Sequence, residues 1–148
     1  MIEGIHIQPL KIYQDERGQV LHMLRKDDPT FSQFGEVYFS TVNPGVVKGW
    51  KKHLRMTQHF AVPVGNIQLV IYDDRPHSST FNVCESMSLG LKNYQRIKIP
   101  PLLWYSFASL DNHPAMIVNC TDIPHDPQEV VTKPLEDPTF PYSWKTFL

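Results

Sequence analysis

The sequence has little cysteine and almost no net charge. Cys84 and Cys120 are the two cysteines among 148 residues, and their placement gives neither a disulfide framework nor a metal-binding spacing, so we expect two reduced thiols inside strands. Lys and Arg number 14 against 15 Asp and Glu, a formal charge of −1. Because nucleic acids and anionic membranes select clustered basic surface, we expect neither as a partner.

Long apolar segments are also lacking. The first ten residues, MIEGIHIQPL, contain no basic stretch followed by an apolar one, and no run of 18 apolar residues occurs anywhere. We therefore expect no signal peptide and no membrane span, and we expect a cytoplasmic protein. Hydrophobic residues still make up 41% of the chain, which is enough for a core, and the length predicts one domain over residues 1–148.

Period-two alternation of apolar residues dominates the chain and predicts an all-β fold. Residues 66–72 place Ile67, Leu69 and Ile71 on one face, and Gly65-Asn66 is typical of a tight hairpin after residues 58–64. The same pattern predicts strands over residues 4–10, 20–24, 36–41, 46–53, 85–89, 95–99, 104–110 and 115–120. Residues 27–33 alone favour a short helix. Five prolines after residue 123 predict a C-terminal segment that wraps the barrel without adding strands.

Two motifs resemble the metal-binding motifs of the cupin barrels. Lys51, His53, Gln58 and Gly65 have the spacing of the first motif, and Pro100 to Tyr105 that of the second, with Tyr105 at its last ligand position. The resemblance implies a double-stranded β-helix, or jelly-roll barrel.

The residues at these positions are poor metal ligands. Lys51 and His53 lie two apart on one strand, so both side chains should point into the barrel. An ammonium group has no lone pair, and Gln58 and Tyr105 replace carboxylate and imidazole ligands. We therefore predict a cavity without a metal or other cofactor.

Four segments, in order, carry a closer resemblance to the dTDP-4-dehydrorhamnose 3,5-epimerase family. They are Asp15-Glu16-Arg17-Gly18, then residues 45–50 (GVVKGW), then residues 72–75 (YDDR) with 79–81 (STF), then Ile99-Pro100 with Phe107. The resemblance covers residues 1 to about 145. It implies a cytoplasmic enzyme of surface polysaccharide biosynthesis, which forms homodimers through exchanged edge strands and binds a nucleotide sugar.

The family's functional positions carry altered residues here. The resemblance places two substrate-binding cations at Arg17 and Lys48, the catalytic base at Lys51, and the enolate-binding lysine at Gln58. A second interior histidine falls on Tyr105. By an ungapped count the family's acidic tyrosine falls on Val118. The family's full enzymes carry a longer C-terminal region. We expect the late Asp that partners their catalytic His to lie in that region and to have no counterpart among these 148 residues.

We predict that Lys51 or His53 is the base and Tyr105 the acid of a metal-independent 3- and/or 5-epimerisation. In that reaction a proton α to the 4-keto group is removed, and a proton returns to the opposite face. Arg17, Lys48 and Gln58 are the predicted substrate-binding residues. The replaced residues keep open a catalytically inactive cupin that binds a nucleotide sugar or a protein partner. A third hypothesis is a metal-dependent cupin dioxygenase.

Overall fold

The computed structural model describes residues 1–145 and residue 147, and its regular structure is almost entirely β. Two single-turn 3₁₀ helices, Leu91–Asn93 and Pro127–Glu129, are the described exceptions. None of the described helices is long and apolar enough to cross a membrane. The strands are β1 (His6–Pro9), β2 (Ile12–Asp15), β3 (Gly18–Leu21), β4 (Glu36–Val42), β5 (Val47–His53), β6 (Gln58–Val64), β7 (Asn66–Tyr72), β8 (Cys84–Gly90), β9 (Gln95–Ile99), β10 (Trp104–Ser109), β11 (Ala115–Thr121) and β12 (Val130–Thr132).

Ten of these strands form two five-stranded antiparallel sheets. The first sheet has the order β1-β9-β6-β11-β4, and the second has the order β12-β5-β10-β7-β8. Consecutive strands β6 and β7 lie in different sheets, as do β10 and β11, so the chain repeatedly crosses from one sheet to the other. The hairpin predicted at Gly65-Asn66 is therefore wrong, because β6 pairs with β11 and β9 whereas β7 pairs with β10 and β8. This is a jelly-roll barrel, and the all-β prediction is confirmed.

The main core fills the space between the two sheets. On β7 the inward residues Ile67, Leu69 and Ile71 are completely buried, as the alternation predicts. They pack with Phe60 of β6 and Ile117 of β11 from the opposite sheet. The alternation is diagnostic here because one face of each strand must be apolar to cover the other sheet.

A second core lies on the outer face of the second sheet, under the C-terminal segment. Trp50 stacks on Phe140 with ring centroids 4.2 Å apart, and Trp104 meets the same ring edge-on at 5.3 Å. Trp144 closes this cluster and donates a hydrogen bond from Nε1 to Ser106 Oγ at 2.9 Å. The predicted wrapping is therefore observed. The prediction that the segment adds no strand is wrong, because β12 pairs with β5.

Two further local predictions differ from the structure. Residues 27–30 form turns and residues 31–33 have no regular structure, so the predicted helix is absent; the Asp28 carboxylate accepts hydrogen bonds from the Arg25 backbone and from the Arg96 guanidinium. Strands β2 and β3 form a separate two-stranded hairpin. The sequence did not predict β2, since all four of its residues are exposed and no buried face marks it.

Candidate active site

A cavity of about 220 Å³ opens between the two sheets. Its walls combine an apolar patch, formed by Phe60, Phe107 and Ile117, with polar and cationic side chains. The polar lining residues are Tyr38, Ser40, Lys48, Lys51, Tyr105 and Asn119. Small-molecule sites commonly have this mixture of apolar walls and a few convergent polar groups.

An irregularity in β5 brings two lysines to this cavity. Tyr105 of β10 lies opposite Lys51, but the next residue, Ser106, lies opposite Gly49, so Trp50 is an extra residue in β5. A bulge of this kind changes the side to which the following side chains point. Lys48 and Lys51 are three residues apart and would otherwise face opposite sides, yet both line the cavity. Trp50 itself points into the second core.

A chain of hydrogen bonds runs behind and into the cavity. The Tyr105 hydroxyl lies 3.3 Å from His53 Nε2 and 3.3 Å from Gln58 Oε1. The Gln58 oxygen also accepts a bond from Asn119 Nδ2 at 3.0 Å, and the same amide nitrogen donates to the Tyr38 hydroxyl at 2.8 Å. The network therefore links phenols on the two facing sheets.

The buried end of this network is a hydrogen-bonded pair formed by His53 and Glu129. Nδ1 of His53 contacts Glu129 Oε1, and both side chains are almost fully buried. The other carboxylate oxygen accepts hydrogen bonds from the backbone N–H groups of Arg55 and Met56, each at 3.1 Å. Burial opposes ionisation, but the bonds from His53 and the two N–H groups outweigh it and lower the pKa of Glu129.

This pair gives His53 a defined orientation. An ionised Glu129 accepts the Nδ1 proton, which leaves the Nε2 lone pair directed at the Tyr105 hydroxyl. The sequence reasoning expected the late acid to lie beyond the chain, and here a late acid, Glu129, is present. It was missed because it is 76 residues from His53 in sequence. The β-branched run Val130-Val131-Thr132 was the available signal that this segment joins the sheet beside His53.

Tyr38 and Asn119 are the other members that sequence reasoning did not identify. The ungapped count placed the family's tyrosine at Val118, and the structure contradicts a cavity role there. On β11 the buried residues alternate as Ile117, Asn119 and Thr121, so Val118 faces the opposite side of the sheet. Tyr38, from the facing strand β4, is the second tyrosine of the cavity.

The cavity shifts the proton affinities of its groups. Burial, and then the neighbouring charge of Lys48, lower the pKa of the Lys51 amine. Burial raises the pKa of Tyr105 well above its ordinary range and also raises the pKa of Tyr38. Both phenols are therefore protonated near neutral pH.

The remaining predicted site residues are placed as follows. Lys48 Nζ donates to Ser40 Oγ at 3.1 Å and to the Thr41 carbonyl at 2.7 Å, which holds its charge at the cavity wall. Gln58 lies behind the wall, where it contacts Tyr105 and Asn119. Arg17 is not brought to this cavity: it lies on the exposed β2–β3 turn, paired with Asp15 at 2.6 Å.

The donor chemistry of the cavity also bears on metal binding. Within residues 1–145 and 147, no group of three or more His, Cys, Asp or Glu side chains is gathered at one place. His53 and Glu129 already bind each other, and Lys48 brings positive charge to the cavity wall. These residues do not fit a metal ion.

Comparisons with known proteins agree with this architecture. A family model described as dTDP-4-dehydrorhamnose 3,5-epimerase matches residues 1–148. A dTDP sugar isomerase from Desulfovibrio desulfuricans G20, solved by crystallography, is 49% identical with a TM-score of 0.94, and the match covers 97% of this chain and 92% of that one. A crystal structure of a double mutant of ChmJ, a 3'-monoepimerase from Streptomyces bikiniensis, in complex with dTDP is 20% identical with a TM-score of 0.86. The match covers 99% of this chain and 77% of that one, and it shows likeness of fold.

Two curated relatives also match. The probable low-salt glycan biosynthesis epimerase Agl13 of Haloferax volcanii is 33% identical over 80% of this chain and 77% of its own length. The spore coat polysaccharide biosynthesis protein SpsL of Bacillus subtilis is 28% identical over 99% of this chain and 98% of its own length. The fold and cavity define a cupin-type jelly-roll protein with a polar-lined cavity of about 220 Å³ between its sheets. This chain belongs to the dTDP-4-dehydrorhamnose 3,5-epimerase family.

Proposed function

We propose that this protein is a metal-independent epimerase or isomerase of a dTDP-4-keto-6-deoxy sugar. It exchanges the proton at C3, at C5 or at both, in the cytoplasm, for surface polysaccharide biosynthesis. The observation that carries the proposal is the meeting of Lys51 and Tyr105 across β5 and β10 in one cavity, with His53 directly behind the phenol. The names of Agl13 and SpsL support the glycan assignment.

Proton removal α to a ketone needs a base, a proton donor and a positive charge near the ketone oxygen. Tyr105 and His53 form the acid–base pair: as the phenol oxygen receives the sugar proton, its own proton passes to His53 Nε2. The imidazolium so formed is stabilised by Glu129. This arrangement modifies the sequence-based assignment, because His53 acts through Tyr105 rather than on the sugar directly.

Two further residues return the proton to the other face of the sugar and stabilise the charge of the enolate. Tyr38 lies on the opposite sheet and presents a second phenol, which returns a proton to the opposite face. Lys51 supplies the positive charge at the ketone oxygen. In this proposal Lys51 is therefore the enolate-stabilising cation, a role that the resemblance had assigned to the Gln58 position.

The size of the cavity indicates which part of the nucleotide sugar it can hold. Pockets that enclose whole drug-sized ligands occupy roughly 300–1,000 Å³. A volume of about 220 Å³ suits the sugar ring, which leaves the nucleotide outside the opening. Lys48, whose charge faces the cavity, is the proposed contact for the diphosphate.

We also propose a homodimer, which would bring further residues to the ligand. Strand β4 is an unpaired edge of the first sheet, and Phe39 on its outer face is 66% exposed. The β2–β3 hairpin stands apart from both sheets and exposes Tyr13 and Val20. Exposed edges and apolar patches of this kind are commonly covered by a second chain. A substrate contact by Arg17 requires that its hairpin reach the cavity of a second protomer.

Solvent exchange tests the proposed reaction. The protein is incubated with dTDP-4-keto-6-deoxyglucose in deuterium oxide, and deuterium at C3 and C5 is followed by NMR and mass spectrometry. Uptake above the enzyme-free control is expected. Absence of uptake, together with a thermal shift on addition of the same compound, would instead favour the inactive, nucleotide-sugar-binding alternative.

A further inference from the structure

Three lysines of β5 differ in what they contact. Lys48 Nζ donates to Ser40 Oγ and the Thr41 carbonyl, and Lys52 Nζ pairs with Asp74 at 3.0 Å. Within the part of the chain that the structure describes, Lys51 Nζ has no hydrogen-bond or ion-pair partner. Of the three amines, Lys51 alone is therefore free to react with a ligand in the cavity.

The surroundings of Lys51 favour the neutral, nucleophilic form of its amine. Phe60, Phe107 and Ile117 form the apolar wall of the same cavity, and Lys48 adds a second positive charge. Desolvation and a neighbouring cation are the two conditions that activate lysine amines for attack on carbonyl groups. Lys51 is an exposed residue of β5, so the apolar wall shields its amine only in part. This partial burial and the charge of Lys48 both lower its pKa.

Lys51 also lies beside a proton donor, the Tyr105 phenol, which imine formation would require. Tyr105 lies directly opposite Lys51 in the β5–β10 register, and its protonated phenol lines the same cavity. Formation of an imine requires a proton donor beside the amine, because the carbonyl oxygen must leave as water. The pair therefore offers a nucleophile and an acid on adjacent strands.

We propose that Lys51 is a covalent catalyst, whose amine condenses with the 4-keto group of the sugar to form an iminium ion. This inference rests on the proposed function, but it replaces the non-covalent contact between the Lys51 ammonium and an enolate by a covalent iminium ion at C4, so that the intermediate is an enamine. Its ligand class is a sugar that carries a ketone, attached to a nucleoside diphosphate.

The steps balance without an oxidant or reductant. The nitrogen lone pair adds to C4, and the carbonyl oxygen, after taking up protons from nitrogen and from Tyr105 or solvent, leaves as water. Loss of the proton at C3 or C5 to the Tyr105–His53 pair moves the C–H electrons into an enamine and neutralises the nitrogen. A proton returns from the opposite face, and water then adds to C4 and releases the ketone and the amine.

Reductive trapping tests the covalent step. The full-length protein is mixed with dTDP-4-keto-6-deoxyglucose and sodium cyanoborohydride, and intact mass and peptide mapping locate the secondary amine. A single adduct on Lys51 is expected. It should be absent with dTDP-glucose, which has no ketone, absent in Lys51→Arg, and retained in Lys52→Arg as the matched control on the same strand.

Exchange of the ketone oxygen gives an independent measurement. Each iminium cycle loses the C4 oxygen as water, so the wild-type protein in ¹⁸O-labelled water should label C4 faster than the enzyme-free control. Lys51→Arg, shown to be folded by its melting curve, should not. Deuterium uptake at C3 or C5 without trapping and without accelerated ¹⁸O exchange would overturn the covalent step and leave the epimerase proposal intact. Absence of all three signals would overturn both, and equal trapping on several lysines would also overturn the assignment to Lys51.

Discussion

Replacement of Glu129 by Gln tests the buried end of the candidate site. The side chain is 2% exposed, and its carboxylate accepts hydrogen bonds from His53 Nδ1 and from two backbone N–H groups. The substitution keeps the shape and removes the charge. It also turns an amide NH₂ towards at least one donor that the carboxylate accepted.

The expected decrease in the free energy of unfolding follows from these three hydrogen bonds. A hydrogen bond to a charged group contributes about 1.5–3 kcal/mol, against about 1 kcal/mol for a neutral pair. The loss of roughly 1 kcal/mol at each bond gives about 2–4 kcal/mol in the free energy of unfolding at pH 7. For a chain of this size that corresponds to a decrease in Tm of about 5–15 °C.

The pH dependence has a defined sign. Because folding lowers the pKa of Glu129, its contribution is fully present above the pKa of an unfolded glutamate, about 4.3, and is lost as the pH falls through the lower folded value. The difference between wild type and Glu129→Gln should therefore be large at pH 7 and shrink below about pH 4.

Urea unfolding followed by tryptophan fluorescence measures this difference at each pH. Glu136→Gln is the matched control, because Glu136 is exposed in the same C-terminal segment and its loss should change stability by less than about 0.5 kcal/mol. A decrease in unfolding free energy below about 0.5 kcal/mol at pH 7 in Glu129→Gln, or a decrease that does not diminish in acid, would refute the stabilising role of the buried Glu129 carboxylate.

Three other perturbations address separate parts of the molecule. Lys48→Met should raise the Kd for dTDP by about 10- to 100-fold and flatten its salt dependence, measured by calorimetry, because a charged contact to the diphosphate is lost; an unchanged Kd would remove Lys48 from the proposed binding site. Asp73→Asn should lower the free energy of unfolding in urea at pH 7 by about 2–3 kcal/mol. The fully buried carboxylate binds Arg75 at 2.8 Å and accepts hydrogen bonds from the hydroxyl groups of Ser78 and Thr80. An unchanged free energy of unfolding would contradict that network. Phe140→Ala should cost about 3–5 kcal/mol and change the tryptophan emission, because its ring stacks on Trp50; a loss below about 1 kcal/mol would show that the C-terminal segment does not close the second core.

The strands that sequence reasoning predicted best are the most deeply buried ones. Strands β6, β7 and β9 have the predicted bounds, because each is largely buried and presents an apolar face to the opposite sheet. The exposed strand β2 carries no such signal. The three-residue strand β12 follows a proline-containing turn, and its pairing with β5 depends on residues nearly 80 positions earlier.

The candidate site was predictable in part for similar reasons. Motif spacing placed Lys51, His53 and Tyr105 on inward positions of neighbouring strands, and the structure brings them to one end of the barrel. Glu129 and Tyr38 were not predicted, because each reaches the site through a strand pairing that a motif does not encode. Val118 was misassigned because a residue count does not specify which face of a strand meets the cavity.

The most direct test of the central claim compares deuterium uptake by wild type and Tyr105→Phe. Both are incubated with dTDP-4-keto-6-deoxyglucose in deuterium oxide, and binding of the compound is measured on the same samples. The account predicts uptake at C3 or C5 by the wild type, and a loss of at least about 100-fold in Tyr105→Phe with binding retained, since acid–base groups contribute about 10²–10⁴-fold. Equal uptake by the two proteins, or none by the wild type, would contradict it.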